Sequence, residues 1–336
     1  MPTVFGTKLV MKILVTGGLG FIGHNVVALL ESQRHEVIIT DTQTTYGIIP
    51  KVELDYLVAE RRRKIKTDRI YQIDIGDRDG ISWLINKHQP DIVIHLASFP
   101  RQKVVNANPQ VGSHVMSEGL LNLLEASVFG NVQKFVYVSS SMVYGDFEDA
   151  IGIGVMESHA TNPIGQYGIM KLAGEWLVRD YTRRTGMAHT IVRPSAVYGP
   201  LDVEDRVVSK FLIGAIRGQE IQVRGADELL DFTYVGDTAD GIVVALQSEQ
   251  AVNRTYNITR GSSRTLLEAA QIAVNLAQRG TIRIQDPDAA FPSRGQLNIS
   301  AAQRDFGYAP TMDIEQGFRL YYEWLNNSVY WSQKTV

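Results

Sequence analysis

Cysteine is absent from the 336 residues. Its absence excludes disulfides, thiolate nucleophiles and cysteine-ligated zinc. An excess of one charge is missing too: 33 basic side chains face 36 acidic ones, a formal net charge of −3 with a pI near 6.2. So small an imbalance gives no electrostatic case for nucleic acid or an anionic membrane as a partner. No apolar run approaches the length of a membrane span, and residues 1–11 lack a basic stretch followed by a long apolar core. Met11 stands directly before the first apolar run, so residues 1–10 are expected to be a dispensable extension, and a cytoplasmic location is the default expectation. The seven histidines show no metal-ligand spacing, and no metal is expected. What remains is an ordinary globular composition, 44% hydrophobic and 21% charged, long enough for one large domain or two small ones. The one basic cluster, Arg61-Arg62-Arg63-Lys64, ends an amphipathic helical pattern that starts near Glu53, and reads as a solvated helix end favoured by the helix dipole.

Apolar runs alternate with helical patterns: Lys12 to Thr16, Glu36 to Thr40, Arg69 to Ile75, Asp91 to Leu96, Lys134 to Ser139 and Thr190 to Arg193. Such alternation predicts parallel strands joined by right-handed crossovers, hence a doubly wound α/β sheet. Ligands of such sheets sit at the carboxyl ends of the strands.

Gly17-Gly18-Leu19-Gly20-Phe21-Ile22-Gly23 occupies that place, between the first strand and the helical run Asn25 to Glu31. A glycine at the strand exit permits a tight turn, the middle one lets backbone approach a pyrophosphate, and the last lets helix and strand pack closely. The second strand ends at Asp41, close to where an acid binds adenosine ribose hydroxyls, which favours NAD over NADP.

Tyr167 and Lys171 make the second motif. With 14 tyrosines and 11 lysines in 336 residues, chance supplies roughly half a pair at this spacing, so context must decide. Tyr330 and Lys334 match as well, but in a polar tail with no strand before them. Tyr167 and Lys171 instead open a helical stretch that places both on one face, and they follow the serine-rich strand end Ser139-Ser140-Ser141-Met142-Val143-Tyr144-Gly145. A tyrosine, with a pKa near 10, becomes a base near neutrality only if something stabilises its phenolate. An ammonium one helical turn away can do so.

Taken in order, these motifs together with Asp74-Ile75, His95-Leu96-Ala97-Ser98, Arg193 through Pro200 and Asp231 through Asp237 resemble the extended short-chain dehydrogenase/reductase superfamily, in particular its NAD-dependent nucleotide-sugar epimerase and dehydratase branch, nearly end to end. The resemblance implies a Rossmann-type doubly wound parallel sheet over 11–199, with segments near 231–260 returning to it, and a smaller, mainly substrate-binding region over 200–330. It implies NAD, held by Gly17, Gly20, Phe21, Ile22, Gly23, Asp41, Asp74, Ile75, Leu96, Ala97, Ser98, Tyr167, Lys171 and Pro194. Tyr167, Lys171 and Ser140 are the implied catalytic residues. Ser140 and Ser141 are candidates for the sugar, and Arg217, Arg224 and Arg294 for a diphosphate, which favours guanidinium partners. Asn162 resembles a frequent sugar or cofactor contact, with a turn role equally open. A homodimer through helices near Val111 to Ser127 and Tyr167 to Tyr181 is implied by resemblance alone.

The resemblance implies that 4,6-dehydratases and sugar-nucleotide decarboxylases carry a glutamate, often with a neighbouring acid or serine, where this chain has Ser141-Met142, and that the related 3,5-epimerases carry a cysteine there. Without those groups, the chemistry left is C4 epimerisation or simple oxidation and reduction. The first expectation is an NAD-dependent nucleotide-sugar 4-epimerase acting through a 4-keto intermediate. The alternative is a nucleotide-sugar oxidoreductase with exchangeable NAD(H), and a third reading, from another class, is a non-catalytic dinucleotide sensor. Four departures from the family pattern bear on the substrate pocket: Met116 for a common asparagine, Leu230 for a common arginine, Ser98 for alanine, and a longer stretch from Tyr46 to Lys66.

Overall fold

Runs of valine and isoleucine that are apolar on both faces become strands of one seven-stranded sheet in the computed structural model. The structure describes residues 10–331 except 45–46, 48, 100–101, 147–151, 153, 204, 289–291 and 329. The strands are β1 (Lys12–Thr16), β2 (Glu36–Thr40), β3 (Ile70–Tyr71), β4 (Ile92–His95), β5 (Lys134–Val138), β6 (Ala188–Arg193) and a last one at Arg254–Asn257. From edge to edge they run Arg254–Asn257, β6, β5, β4, β1, β2, β3. Every pairing is parallel. The chain therefore winds outward from β1 in one direction, then returns to lay β4 on the other side of β1. That reversal opens a crevice past the carboxyl ends of β1 and β4.

Alternate residues of each strand enter two apolar layers. Ile13, Val15, Ile39 and Ile94 pack under α1 (Phe21–Ser32) and the helix Val235–Gln247. Leu14, Ile38, Val93 and Phe135 face the other side with Leu120, Leu123 and Leu124 of the helix Gly119–Phe129. A third cluster, including Tyr198, Phe211, Leu212, Phe232, Phe318 and Tyr321, lies in the C-terminal part, where Glu220–Arg224 pairs in parallel with Thr281–Gln285. Between these pieces, Val235–Gln247 and Arg254–Asn257 return to the large sheet.

Two expectations need correction. The run Arg69 to Ile75 pairs as a strand only over Ile70–Tyr71, at the sheet edge. Beyond it, the Thr40 hydroxyl donates to the Ile73 carbonyl at 2.8 Å and Asp74 Oδ1 accepts the Gly76 N–H at 2.8 Å, which turns the chain towards the crevice. The basic cluster is the second. In α2 (Lys51–Arg62), Arg61 is not solvated but 5% exposed. It shares an inward face with Leu54 and Val58. Its guanidinium donates from Nη1 to the Leu19 carbonyl at 3.2 Å and from Nη2 and Nε to the Leu201 carbonyl at 2.7 and 3.2 Å. The surface role falls to Arg62, paired with Asp68 at 3.0 Å, and to Arg63, paired with Glu60. Among the described residues, no helix is long and apolar enough to cross a membrane.

Candidate active site

One cavity runs along the crevice and is lined by both sequence motifs. At its floor β1 passes into Gly17, whose φ of +69° is open to glycine at little cost. A Cβ on Gly17 would stand 2.8 Å from the Ala97 nitrogen, and one on Gly23 would stand 2.1 Å from the Gly17 carbonyl oxygen. The turn is thus as tight as glycine permits. Gly20 is the N-cap of α1 and brings no side chain to cap it, and the first turn carries no acidic residue. Phe21, Ile22 and Gly23 of that turn line the cavity. The free N–H groups and the positive end of the helix therefore suit an anion there.

Asp41 follows β2. Its Oδ2 accepts the Leu19 N–H at 2.9 Å and its Oδ1 the Gln43 N–H at 2.7 Å, so the carboxylate also braces the glycine turn. Burial pushes this carboxyl above its usual range, against those N–H bonds and the Arg61 charge. Asp74, Ile75, Leu96, Ala97, Ser98 and Pro194 line the same cavity. The Ser98 hydroxyl is buried without a partner among the described residues.

Tyr167 and Lys171 lie in the first two turns of the helix Gln166–Thr185 and, with Ser140, reach the cavity from its far end. Ser140 caps the short turn Ser141–Val143, accepting the Met142 N–H at 3.2 Å, and its hydroxyl also hydrogen-bonds Tyr167. Burial raises the Tyr167 phenol above its usual value; the Arg206 charge and the Ser140 hydrogen bond oppose that rise. Lys171 Nζ donates to the Val138 carbonyl at 2.8 Å and lies 5.9 Å from the Tyr167 ring centre. Burial pulls its pKa down to about 8, partly offset by Glu175.

Sequence reasoning missed Glu175, one further turn along the same helix. Its carboxylate is fully buried and accepts from Ser139 Oγ at 2.6 Å, from Arg193 Nε and Nη2 at 2.8 and 2.7 Å, and from Arg179 Nη2 at 2.9 Å. Burial alone would raise its pKa; the Arg193 hydrogen bonds and charge outweigh it and hold the group below its usual range. The four-residue spacing of Tyr167, Lys171 and Glu175 was the available signal. Arg206 and Ser195 also line the cavity and were not singled out; Arg61, read from the sequence as a solvated cation, lines it too.

The substrate candidates separate. Ser140 lines the cavity, whereas Ser141 is 2% exposed and donates to Ser195 Oγ at 3.1 Å, because its N–H is fixed on the Pro194 carbonyl at 2.9 Å. Asn162 is exposed, outside helix and strand, with its N–H on the Tyr144 carbonyl at 3.3 Å, and lines neither described cavity. Arg217 ends the helix Val207–Ile216 and lines neither cavity. Arg224 and Arg294 do line a second cavity, with Asp227 and Glu228. Arg294 is the more enclosed of the two: its Nε is buried with no partner among the described residues, and burial pulls its pKa down to about 10. Leu230 is core. Asp231 and Asp237 are braces: Asp231 Oδ2 accepts from Thr259, Gly261 and Leu297, and Asp237 accepts from Thr311 and Met312. Val115 rather than Met116 lines the cavity, within a π-helical turn at His114–Glu118 that shifts the helix face.

Residues 13–259 match the model of the NAD dependent epimerase/dehydratase family. A putative UDP-glucose 4-epimerase of Methanocaldococcus jannaschii is 30% identical over 325 residues, covering 94% of this chain and 99% of that protein. The solved structure of Thermus thermophilus UDP-glucose 4-epimerase, a complex with NAD, superposes with a TM-score of 0.84 at 25% identity, covering 95% of this chain and 100% of that one. UDP-glucuronic acid 4-epimerase from Bacillus cereus, solved with UDP-glucuronic acid and NAD, superposes with a TM-score of 0.84 at 26% identity, covering 94% and 98%.

Proposed function

The chain belongs to the NAD-dependent epimerase/dehydratase family, and from that premise we propose that it is an NAD-dependent nucleotide-sugar epimerase acting at C4. The observation that carries the proposal is the make-up of one cavity: a glycine turn and helix end suited to a pyrophosphate, an acid for ribose hydroxyls, and a tyrosine, serine and lysine at the far end; Ser141 and Met142, where the resemblance puts a second acid or base in dehydratases, are buried and outside that lining.

The residues fit NAD. Gly17 and Gly23 let the turn close where a Cβ would strike the Ala97 nitrogen and the Gly17 carbonyl oxygen, Gly20 leaves the first turn of α1 without a side-chain cap, and Asp41, on the same cavity, would meet the ribose hydroxyls. When bound, NAD supplies the oxidant that takes the hydrogen from C4 and gives it back. The protein supplies the proton chemistry. Tyr167 Oη takes the proton of the sugar hydroxyl and later returns it. Ser140 Oγ hydrogen-bonds the same sugar oxygen and so fixes its distance from Tyr167. Lys171 Nζ, held on the Val138 carbonyl, keeps positive charge near the phenol. Glu175 and Arg193 hold the helix against the serine strand end. Neither Ser141 nor Met142 can remove the carbon-bound proton that a dehydratase must take.

The nucleotide end falls to the second cavity in the 200–330 region, where Arg294 and Arg224 are the cations for a diphosphate. A homodimer is supported by exposed Leu121 and Phe129 on one helix and Ile169 and Trp176 on the other. The test uses protein purified without added cofactor, analysed for bound nucleotide and incubated with UDP-, GDP-, dTDP- and CDP-sugars under mass spectrometry. Co-purified NAD and an isomer of unchanged mass are expected. Product altered by two hydrogens, formed only with added NAD(H), would replace the epimerase with an oxidoreductase.

A further inference from the structure

Tyr167 must ionise to act as the base, and a cation that favours its phenolate must stay charged while it does so. Lys171 is 4% exposed, and its ammonium is spent on the Val138 carbonyl at 2.8 Å. Arg206 differs on both counts. A guanidinium does not deprotonate in proteins, and this side chain is 43% exposed, so burial does not threaten its charge.

Arg206 reaches the cavity of Tyr167, Ser140 and Lys171 from the C-terminal part of the chain, at the start of the helix Val207–Ile216. Asp202, 1% exposed, steers it: its Oδ1 accepts the Val203 N–H at 2.9 Å and stands 3.8 Å from Arg206 Nε. We propose that Arg206 is a positioning residue for the chemistry at Tyr167, a permanent cation that shares with Lys171 the stabilisation of the phenolate. The proposal rests on the reading of Tyr167 as the base.

The other groups around Tyr167 do not supply this charge. On its own helix Glu175 is negative and saturated by Arg193 and Arg179. From β5, Tyr137 is buried and its phenol is pushed up by burial. From β4, His95 is bonded to Thr16 at 2.8 Å and held neutral by burial. In the segment from Gln102 to Glu118, Lys103 is paired with Asp288 and His114 with Glu118. The positive charge of Arg206 and the Ser140 hydrogen bond are the influences that favour the Tyr167 phenolate against burial. The arrangement also ties the base to the C-terminal part of the chain, since Arg206 joins Tyr167 in lining one cavity only when both parts are in place.

The test is an ultraviolet difference titration of tyrosinate in NAD-saturated protein, each form compared with its own Tyr167→Phe partner so that one tyrosine is read. In Arg206→Met the Tyr167 midpoint is expected to rise by about one pH unit or more. Arg206→Lys, which keeps the charge, is expected to stay within about 0.5 unit of wild type. An Arg206→Met midpoint within about 0.3 unit of wild type overturns the proposal. So does an equal rise in Arg206→Lys, which would mark a structural effect, and so does the absence of any Tyr167-dependent step between about pH 6 and 11 in wild type. This readout needs no sugar. A protein that isomerises no nucleotide sugar would remove the function proposed above while leaving the titration to be read by itself.

Discussion

Glu175→Gln removes one charge from the centre of the site and changes almost nothing in size. The carboxylate accepts four hydrogen bonds, all from donors: Ser139, Arg193 twice, and Arg179. An amide must turn its NH2 towards some of those donors, and the Arg193 guanidinium, 3% exposed, loses the charge it is paired with. Breaking a buried pair by removing one partner costs roughly 3–5 kcal/mol. An unfolding entropy of about 2.1 cal/mol/K per residue gives about 0.7 kcal/mol/K for this chain, so Tm is expected to fall by about 4–7 °C. Glu175 also supports the Lys171 charge, so Lys171, already drawn down to about 8 by burial, moves lower. Activity that needs this ammonium is then lost at a lower pH than in wild type. Differential scanning calorimetry near neutral pH reads the first effect and a kcat–pH profile the second. A Tm within about 1 °C of wild type would refute the assignment of Glu175 as the charged brace.

Further outcomes follow from the same geometry. Gly23→Ala puts a Cβ 2.1 Å from the Gly17 carbonyl oxygen; the strain is about 1–3 kcal/mol, and calorimetric NAD affinity is expected to fall at least about tenfold with the circular dichroism spectrum unchanged. Asp41→Ala removes both the brace on Leu19 and the ribose partner, so NAD affinity should weaken by about 10- to 100-fold; unchanged affinity contradicts the assignment. His24, His95 and His189 are drawn down to about 4, 3 and 4 by burial. Each contributes stability above about pH 6.5 that is lost as pH falls through its folded value, at about 1.4 kcal/mol per unit. Asp231, raised by burial to about 7, works in the opposite sense, since its penalty is relieved as pH falls below 7. From pH 6.5 to 5 these four groups together remove about 3 kcal/mol of stability, and a urea midpoint that did not fall over that interval would contradict the buried neutral histidines.

The sheet and the cofactor end of the cavity were legible because both are written locally. Ile13-Leu14-Val15-Thr16 must be buried on both faces, and glycines at 17, 20 and 23 have few other uses after such a strand. The edge strand near Ile70 was overread because hydrophobic pattern does not say that pairing stops when Thr40 and Asp74 take over the backbone groups. Arg61 was misplaced for a related reason: four adjacent cations look solvated, yet the spacing of Leu54, Val58 and Arg61 puts the first of them on the buried helix face. Asp231 and Asp237 belong to a family-like motif, but their work is to hold backbone N–H groups of remote loops. Arg206 lies 39 positions from Tyr167, and only the packing of the C-terminal part brings it to the cavity.

The central claim is that the hydrogen leaving C4 comes back to C4. It is tested most directly with the nucleotide hexose found to react, deuterated at C4 and incubated in ordinary water with protein carrying only its own NAD. The account predicts the 4-epimer with the deuterium still at C4. Loss of the label to solvent, or its appearance in NADH released to solution, would contradict it.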